Sequence, residues 1–423
     1  MSAAAVNIIS AFGNIDIKLT GRLESRQPKL SYWRYKHKLF HRFALDQAEQ
    51  AISGNADFSK TVTIDVDRSA DLIRGVHTQI VLPALTTANV TSSALIGWVN
   101  SVGNQLIDWA TFGTNNGVID KIYGEYLELY SELFEKKDNG FNELVGKYGT
   151  DDRIAVVAGN ASAARTYITP LRFYFEHPGL AVPVVALERT KVKFQIKFQE
   201  AVKCIKTDNS ATSLAVTPTF TSAKFFIDYV SLDENERRNL YEQPHVYFVH
   251  TLQQLESSTF TWTTSAAASY DSTKLDSFTL AHTEYIWVPS LNVYRESNTG
   301  TGNYLFKYSY GFGSAETELL SDHRIKIHNK ELIDNDSLTF RVHIPYKHHY
   351  KTPQRFIYNY CFAQFPESIQ PSGHINHSIL SSVFLETKRA AILTGSEEGT
   401  VRIYGRALQE VEAVEGILTT GFA

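Results

Sequence analysis

Residues 191–198 alternate strictly, with Val192, Phe194, Ile196 and Phe198 apolar and Lys191, Lys193, Gln195 and Lys197 polar. Successive side chains of an extended strand point to opposite faces, so this segment predicts a strand with one buried and one wetted side. The same period of two returns at Val62, Ile64 and Val66, and again at Leu338, Phe340, Val342 and Ile344. Further strands are expected at residues 15–19, 222–232, 259–263, 285–288, 305–310, 325–327 and 356–363. Many short strands separated by Gly, Pro, Asn and Ser clusters argue for sandwiches or barrels over alternating strand and helix units. The 22 Tyr and 25 Phe suit pleated faces, where flat side chains pack well.

Helices are expected in few places. Tyr123, Tyr126, Leu127, Tyr130 and Phe134 fall on one stripe of a helix over residues 123–134, which must dock on something. Glu125, Glu128 and Glu132 recur at i, i+3 and i+7 and are expected on the solvated side of that helix. Asp233 followed by Glu236 predicts the capped start of a second helix, and residues 141–145 add another turn. The segment 203–221 is rich in Ser, Thr, Asp and Asn and lacks a period, so a boundary is placed there. Each half is then long enough for a double-sheet sandwich of eight or so strands. No sequence repeat relates the halves.

Several function classes find no support. A net charge of −4 offers no positive field for direct nucleic-acid contact. Cys204 and Cys361 cannot form a disulfide scaffold and fit a reducing compartment. No run of apolar residues reaches membrane-spanning length, and the first 19 residues do not read as a secretory leader. Among the 14 histidines, His348 and His349 are adjacent, which is poor ligand geometry, and His374 and His377 lack a third ligand at a recognisable spacing. Residues 370–376, QPSGHIN, resemble part of a cupin metal motif, but Asn376 stands where the ligand histidine should be. Nucleophile elbows, phosphate loops and dinucleotide fingerprints are missing as well. No catalytic, cofactor-binding or metal residues are therefore assigned, and the chain is not expected to be an enzyme. The basic stretch 34–42, RYKHKLFHR, is expected to pair its charges across an interface.

At the level of whole segments the chain resembles the double jelly-roll major capsid proteins of large eukaryotic double-stranded DNA viruses, the phycodnavirus and iridovirus group. The resemblance runs through residues 19–52, through FSKTVTIDVDRSADLI at 58–73, and through residues 98–134 and GFNELVG at 140–146. It is most specific at residues 170–198, with their Pro-Gly-Leu-Ala-x-Pro turn. It continues in FFIDYVSLDENERRNL at 225–240, EYIWV at 284–288 and residues 345–378. The C-terminal stretch departs from the Met- and Gly-rich ending of many members.

The resemblance implies an all-β fold of two consecutive eight-stranded jelly rolls with a few short helices in inserted loops. The expected organisation is an N-terminal arm at 1–24, a first jelly roll over 25–205, a linker at 206–221 and a second jelly roll over 222–423. It also implies a structural virion protein that forms a homotrimer, in which two jelly rolls per chain make a pseudo-hexagonal capsomer of an icosahedral shell. Neighbouring capsomers, minor capsid or cement proteins and penton proteins are the implied partners, without direct nucleic-acid contact. Contact with an internal membrane beneath the shell is typical of such proteins, and assembly in the host-cell cytoplasm is implied. Insertions such as residues 98–146 are expected to touch neighbouring subunits. The competing reading is a tandem jelly-roll carbohydrate-binding module or virion spike.

Overall fold

Eight strands of the first half are β1 (Phe43–Gln50), β2 (Thr61–Asp65), β3 (Leu72–Leu82), β4 (Ile107–Thr114), β5 (Gly117–Tyr123), β6 (Arg165–Pro170), β7 (Val192–Phe198) and β8 (Ser222–Leu232). They pair antiparallel as one sheet of order β1-β8-β3-β6 and a second of order β2-β7-β4-β5, which Ile52–Ser53 extends beside β2. The second half supplies β9 (His245–Glu256), β10 (Asp271–Lys274), β11 (Ala281–Leu291), β12 (Leu320–Ile327), β13 (Lys330–Asp336), β14 (Tyr358–Cys361), β15 (Val383–Arg389) and β16 (Ser396–Val414). Its sheets have the orders β9-β16-β11-β14 and β10-β15-β12-β13. Counted within its own half, each sandwich sets strands 1-8-3-6 over 2-7-4-5. That is a jelly roll twice over, a structural repeat where the sequence shows none.

The computed structural model describes residues 42–86, 89, 96–135, 138–147, 164–207, 215–295, 304–311, 316–328, 330–380 and 382–421. The expected strand at 15–19, the arm at 1–24 and the basic stretch up to residue 41 lie outside the described residues. Phe43–Ala423 forms one compact unit.

Alternation becomes burial as expected in β7, where Val192, Phe194, Ile196 and Phe198 face the first core and the lysines face out. Phe194 meets Phe112 and Phe225, and Phe112 meets Phe175 edge-on at 5.0 Å between ring centroids. The second core is built on Trp262, Tyr285, Trp287, Ile325, Leu385 and Ile403.

Three expectations are corrected. Residues 222–232 do not open the second jelly roll: β8 pairs along its length with β1 and with β3, so it is the last strand of the first sandwich. The last strand of a jelly roll has to return between its first and third, so the segment at 206–221 connects β7 to β8 within one sandwich. Residues 338–344 are not a strand. Thr339–His343 form a π-helical turn that runs into the helix Ile344–His348, and the period of two coincides with an i, i+4 pair, Phe340 and Ile344, that is buried while Leu338 is exposed. Finally, Leu305 and Phe306 are buried in a turn and Tyr308 in irregular chain after it, with only Ser309–Tyr310 in a strand.

Helices join the two sandwiches. Helix α1 (Gly124–Leu133) follows β5 directly; α2 (Asp138–Val145) lies between β5 and β6, and α3 (Glu234–Glu242) leads from β8 to β9. The start of α1 requires glycine, because a Cβ on Gly124 would stand 2.0 Å from the Ile107 carbonyl oxygen and 2.4 Å from that of Asn104. The Asp233 side chain accepts the Glu236 amide at the start of α3, as expected of the cap. Tyr126, Leu129 and Leu133 of α1, with Phe134 at its C-terminal cap, pack against Leu252, Ile286, Val288, Leu305, Ile357 and Tyr404 of the second half. Strand β16 contributes to both cores: Val401 and Ile403 to the second, Val411 and Ala413 to the first.

Candidate functional site

The aromatic stripe of α1 docks inside its own chain, so the expectation that the 98–146 insertion serves neighbouring subunits does not hold for this helix. The expectation for its carboxylates is also overturned: Glu125, Glu128 and Glu132 are buried. Glu125 Oε1 lies 2.5 Å from Arg402 Nη2, and the Tyr404 hydroxyl donates to Glu125 Oε2. Glu128 Oε1 lies 2.9 Å from Lys147 Nζ and 3.8 Å from Arg355 Nη2, and Asn104 Nδ2 donates to Oε2 at 2.9 Å. Glu132 Oε1 pairs with the same Lys147 at 2.5 Å, while its Oε2 accepts the Gln354 amide at 3.1 Å. Each acid thus reaches the second half of the chain directly, at Arg402, Arg355 and the Gln354 amide, while Lys147 of the first half bridges Glu128 and Glu132. Burial would raise the Glu128 carboxyl, but Lys147 and Arg355 overcome it and hold it at about 2. Asp120, in the middle of β5, shows the opposite balance: burial pushes it up to about 7, although its Oδ1 accepts the Lys121 and Leu252 amides.

A second polar cluster lies where the loop after Ile344–His348 meets β11 and β14. Glu284 Oε1 accepts from Arg406 Nη1 at 2.6 Å, and Glu284 Oε2 lies 3.1 Å from His349 Nε2. His349 Nδ1 is 3.3 Å from Glu367 Oε1. Burial alone would lower the His349 pKa; Glu284 reverses the effect and raises it well above the ordinary imidazole value. The adjacency of His348 and His349 therefore has no chemical meaning. His348 Nδ1 sits 3.2 Å from the Gln364 carbonyl oxygen, while His349 is turned into the protein. His374 is exposed and His377 is buried against the Tyr285 hydroxyl, so that pair does not converge. Both cysteines are free.

Among the exposed apolar side chains, two groups combine large residues close together in the chain. Tyr346, in the helix Ile344–His348, Tyr350 just after it and Phe365 are 77%, 59% and 61% exposed, and the Tyr350 amide donates to Glu367 Oε1 at 3.0 Å. Phe43 and Leu45 stand exposed on β1, and Val246 and Phe248 on β9, each strand lying at the edge of its sheet. Exposed aromatic patches and apolar edge strands are the usual marks of a surface that another protein covers.

Comparison with known proteins agrees with this architecture. A family profile described as "Major capsid protein N-terminus" matches residues 31–233, and one described as "Large eukaryotic DNA virus major capsid protein" matches residues 236–403. The join between them falls just after β8. The major capsid protein of Phaeocystis pouchetii virus is 25% identical, with 93% of this chain and 94% of that one covered. That of Pyramimonas orientalis virus is also 25% identical, with 96% of each covered. Among solved structures, PBCV-1 VP54 superposes with a TM-score of 0.75 at 19% identity, covering 93% of this chain and all of that one.

Proposed function

This chain belongs to the major capsid proteins of large eukaryotic DNA viruses, and we propose that it works as a homotrimer whose six sandwiches form one pseudo-hexagonal capsomer. Its role is that of a structural capsid protein, homologous to proteins that form capsomers of icosahedral shells. The observation that carries the trimer is the repeated jelly roll. Two sandwiches of the same strand order in one rigid chain, taken three times, give a six-lobed ring that packs among six neighbours. Rotational closure makes the contact heterologous, so the first sandwich of one copy meets the second sandwich of the next. The apolar edges at β1 and β9 and the Tyr346, Tyr350 and Phe365 patch are the surfaces assigned to contacts between copies.

An obligate trimer interface buries on the order of several thousand Å², which keeps the capsomer intact, while smaller and more polar contacts between capsomers can dissociate and correct errors during assembly. In this reading an internal membrane lies beneath the shell. Cement and penton proteins fill the gaps between capsomers, assembly takes place in the host cytoplasm, and the border between the jelly rolls lies at α3. Light scattering on the purified chain with negative-stain electron microscopy tests the proposal. The expected result is a trimer-mass particle with a six-lobed outline, and a monomer at micromolar concentration overturns it.

A further inference from the structure

We propose that Glu284, His349 and Cys361 form a structural site for a divalent transition ion, zinc being the best match. Glu284 and Cys361 are direct cross-strand partners in the β11–β14 register, so their side chains emerge side by side on one face, and His349 reaches them from the end of the helix Ile344–His348. The donor atoms stand 3.1 Å (Glu284 Oε2 to His349 Nε2), 3.5 Å (Cys361 Sγ to His349 Nε2) and 3.8 Å (Cys361 Sγ to Glu284 Oε2) apart. A triangle with those sides has one point about 2.0 Å from every corner. An ion slightly above that point gains bonds of roughly 2.0–2.3 Å, the zinc range for oxygen, nitrogen and sulfur. A fourth corner is at hand in Asn359 Oδ1, which lies two residues from Cys361 on the same strand face, 3.0 Å from Sγ and 3.3 Å from Nε2.

The surroundings are those of a supported site. The far nitrogen of His349 faces Glu367 Oε1, and a carboxylate on the non-ligating nitrogen fixes the tautomer that presents Nε2 to a metal. Oε2 of that same Glu367 is buried and has no hydrogen-bond partner among the described residues. Arg406 holds the other oxygen of Glu284, and Oε2, which accepts from Asn359 Nδ2 at 2.9 Å, keeps a second lone pair for the ion. Binding exchanges the divalent ion for the thiol proton and the second imidazole proton, so the net charge of the cluster is unchanged. Sulfur and imidazole donors select zinc-like ions, whereas calcium and magnesium require mainly oxygen ligands. The ion would pin the end of the helix that carries Tyr346, and Tyr350 just beyond it, to the β11–β14 pair.

The test uses the full-length protein, stripped with a chelator and titrated with Co2+ alone or Zn2+ alone. One cobalt per chain is expected, with a thiolate-to-cobalt charge-transfer band that survives Cys204→Ala and disappears in Cys361→Ser. In the unmodified protein, Zn2+ should slow alkylation of Cys361 at least tenfold, read by peptide mass spectrometry, which keeps the test independent of how the variant folds. A protein that binds no cobalt, a band that persists in Cys361→Ser, or an alkylation rate unchanged by zinc overturns the site.

Discussion

Replacing Glu128 with Gln keeps the shape of the side chain and its contact with Asn104 but removes the charge that Lys147 and Arg355 face across the junction of the sandwiches. A carboxyl moved from 4.5 to about 2 on folding contributes roughly 3 kcal/mol at neutral pH, where it is ionised in both states. Because the folded value lies below the unfolded one, that contribution is complete above pH about 4.5 and is lost as pH falls toward 2. The variant should therefore be about 3 kcal/mol less stable than the parent at pH 7, a size also expected for breaking a buried ion pair, and the gap should shrink to roughly half at pH 3. Urea unfolding followed by tryptophan fluorescence at both pH values measures the gap. Glu143→Gln, which alters an exposed carboxylate of α2, serves as the control. A gap of the same size at both pH values, or none at pH 7, refutes the claim that this buried charge secures the junction.

Asp120 should behave in the opposite sense. With its folded value raised to about 7, its favourable share is present below pH about 4 and is lost as pH rises through 7. Asp120→Asn should thus gain up to about 4 kcal/mol over the parent at pH 8 and nothing at pH 4, read from urea midpoints. Gly124→Ala drives a methyl into two backbone carbonyls, so a loss of about 3 kcal/mol or more is expected, together with protease cleavage near residue 124 that the parent resists. Phe43→Ser combined with Phe248→Ser changes two exposed residues. It should lower the trimer fraction seen by light scattering while the circular dichroism of the chain keeps its strand signature.

Where one face of a strand is buried and the other wet, the sequence declares it, and β2 and β7 were legible for that reason. The whole-segment resemblance then carried the paired jelly rolls. Phe340 and Ile344 misled because four residues are two strand repeats and also about one helical turn, so a short apolar pattern fits either period. Residues 222–232 read as a good strand, but a strand's pattern says nothing about which sheet it joins, and the polar segment before it looked like a border. The three glutamates of α1 read as a solvated face because their partners, Lys147, Arg355 and Arg402, are distant in sequence. A signal was nevertheless present in β16, where Arg402, Tyr404 and Arg406 alternate with the core residues Val401 and Ile403. Two arginines flanking a tyrosine on one side of a long strand ask for buried acids. Glu284, His349 and Cys361 were invisible for a different cause: only the register of β11 against β14 and the helix that replaces the expected strand at 338–344 bring them together.

Strand β16 carries one further consequence. Because this single 19-residue element enters both cores, neither sandwich can hinge on the other without pulling a continuous backbone ladder out of one interior. Any bending that a closed container demands must then be absorbed at the seams between molecules, with each polypeptide behaving as a stiff brick and the mortar supplying all the curvature.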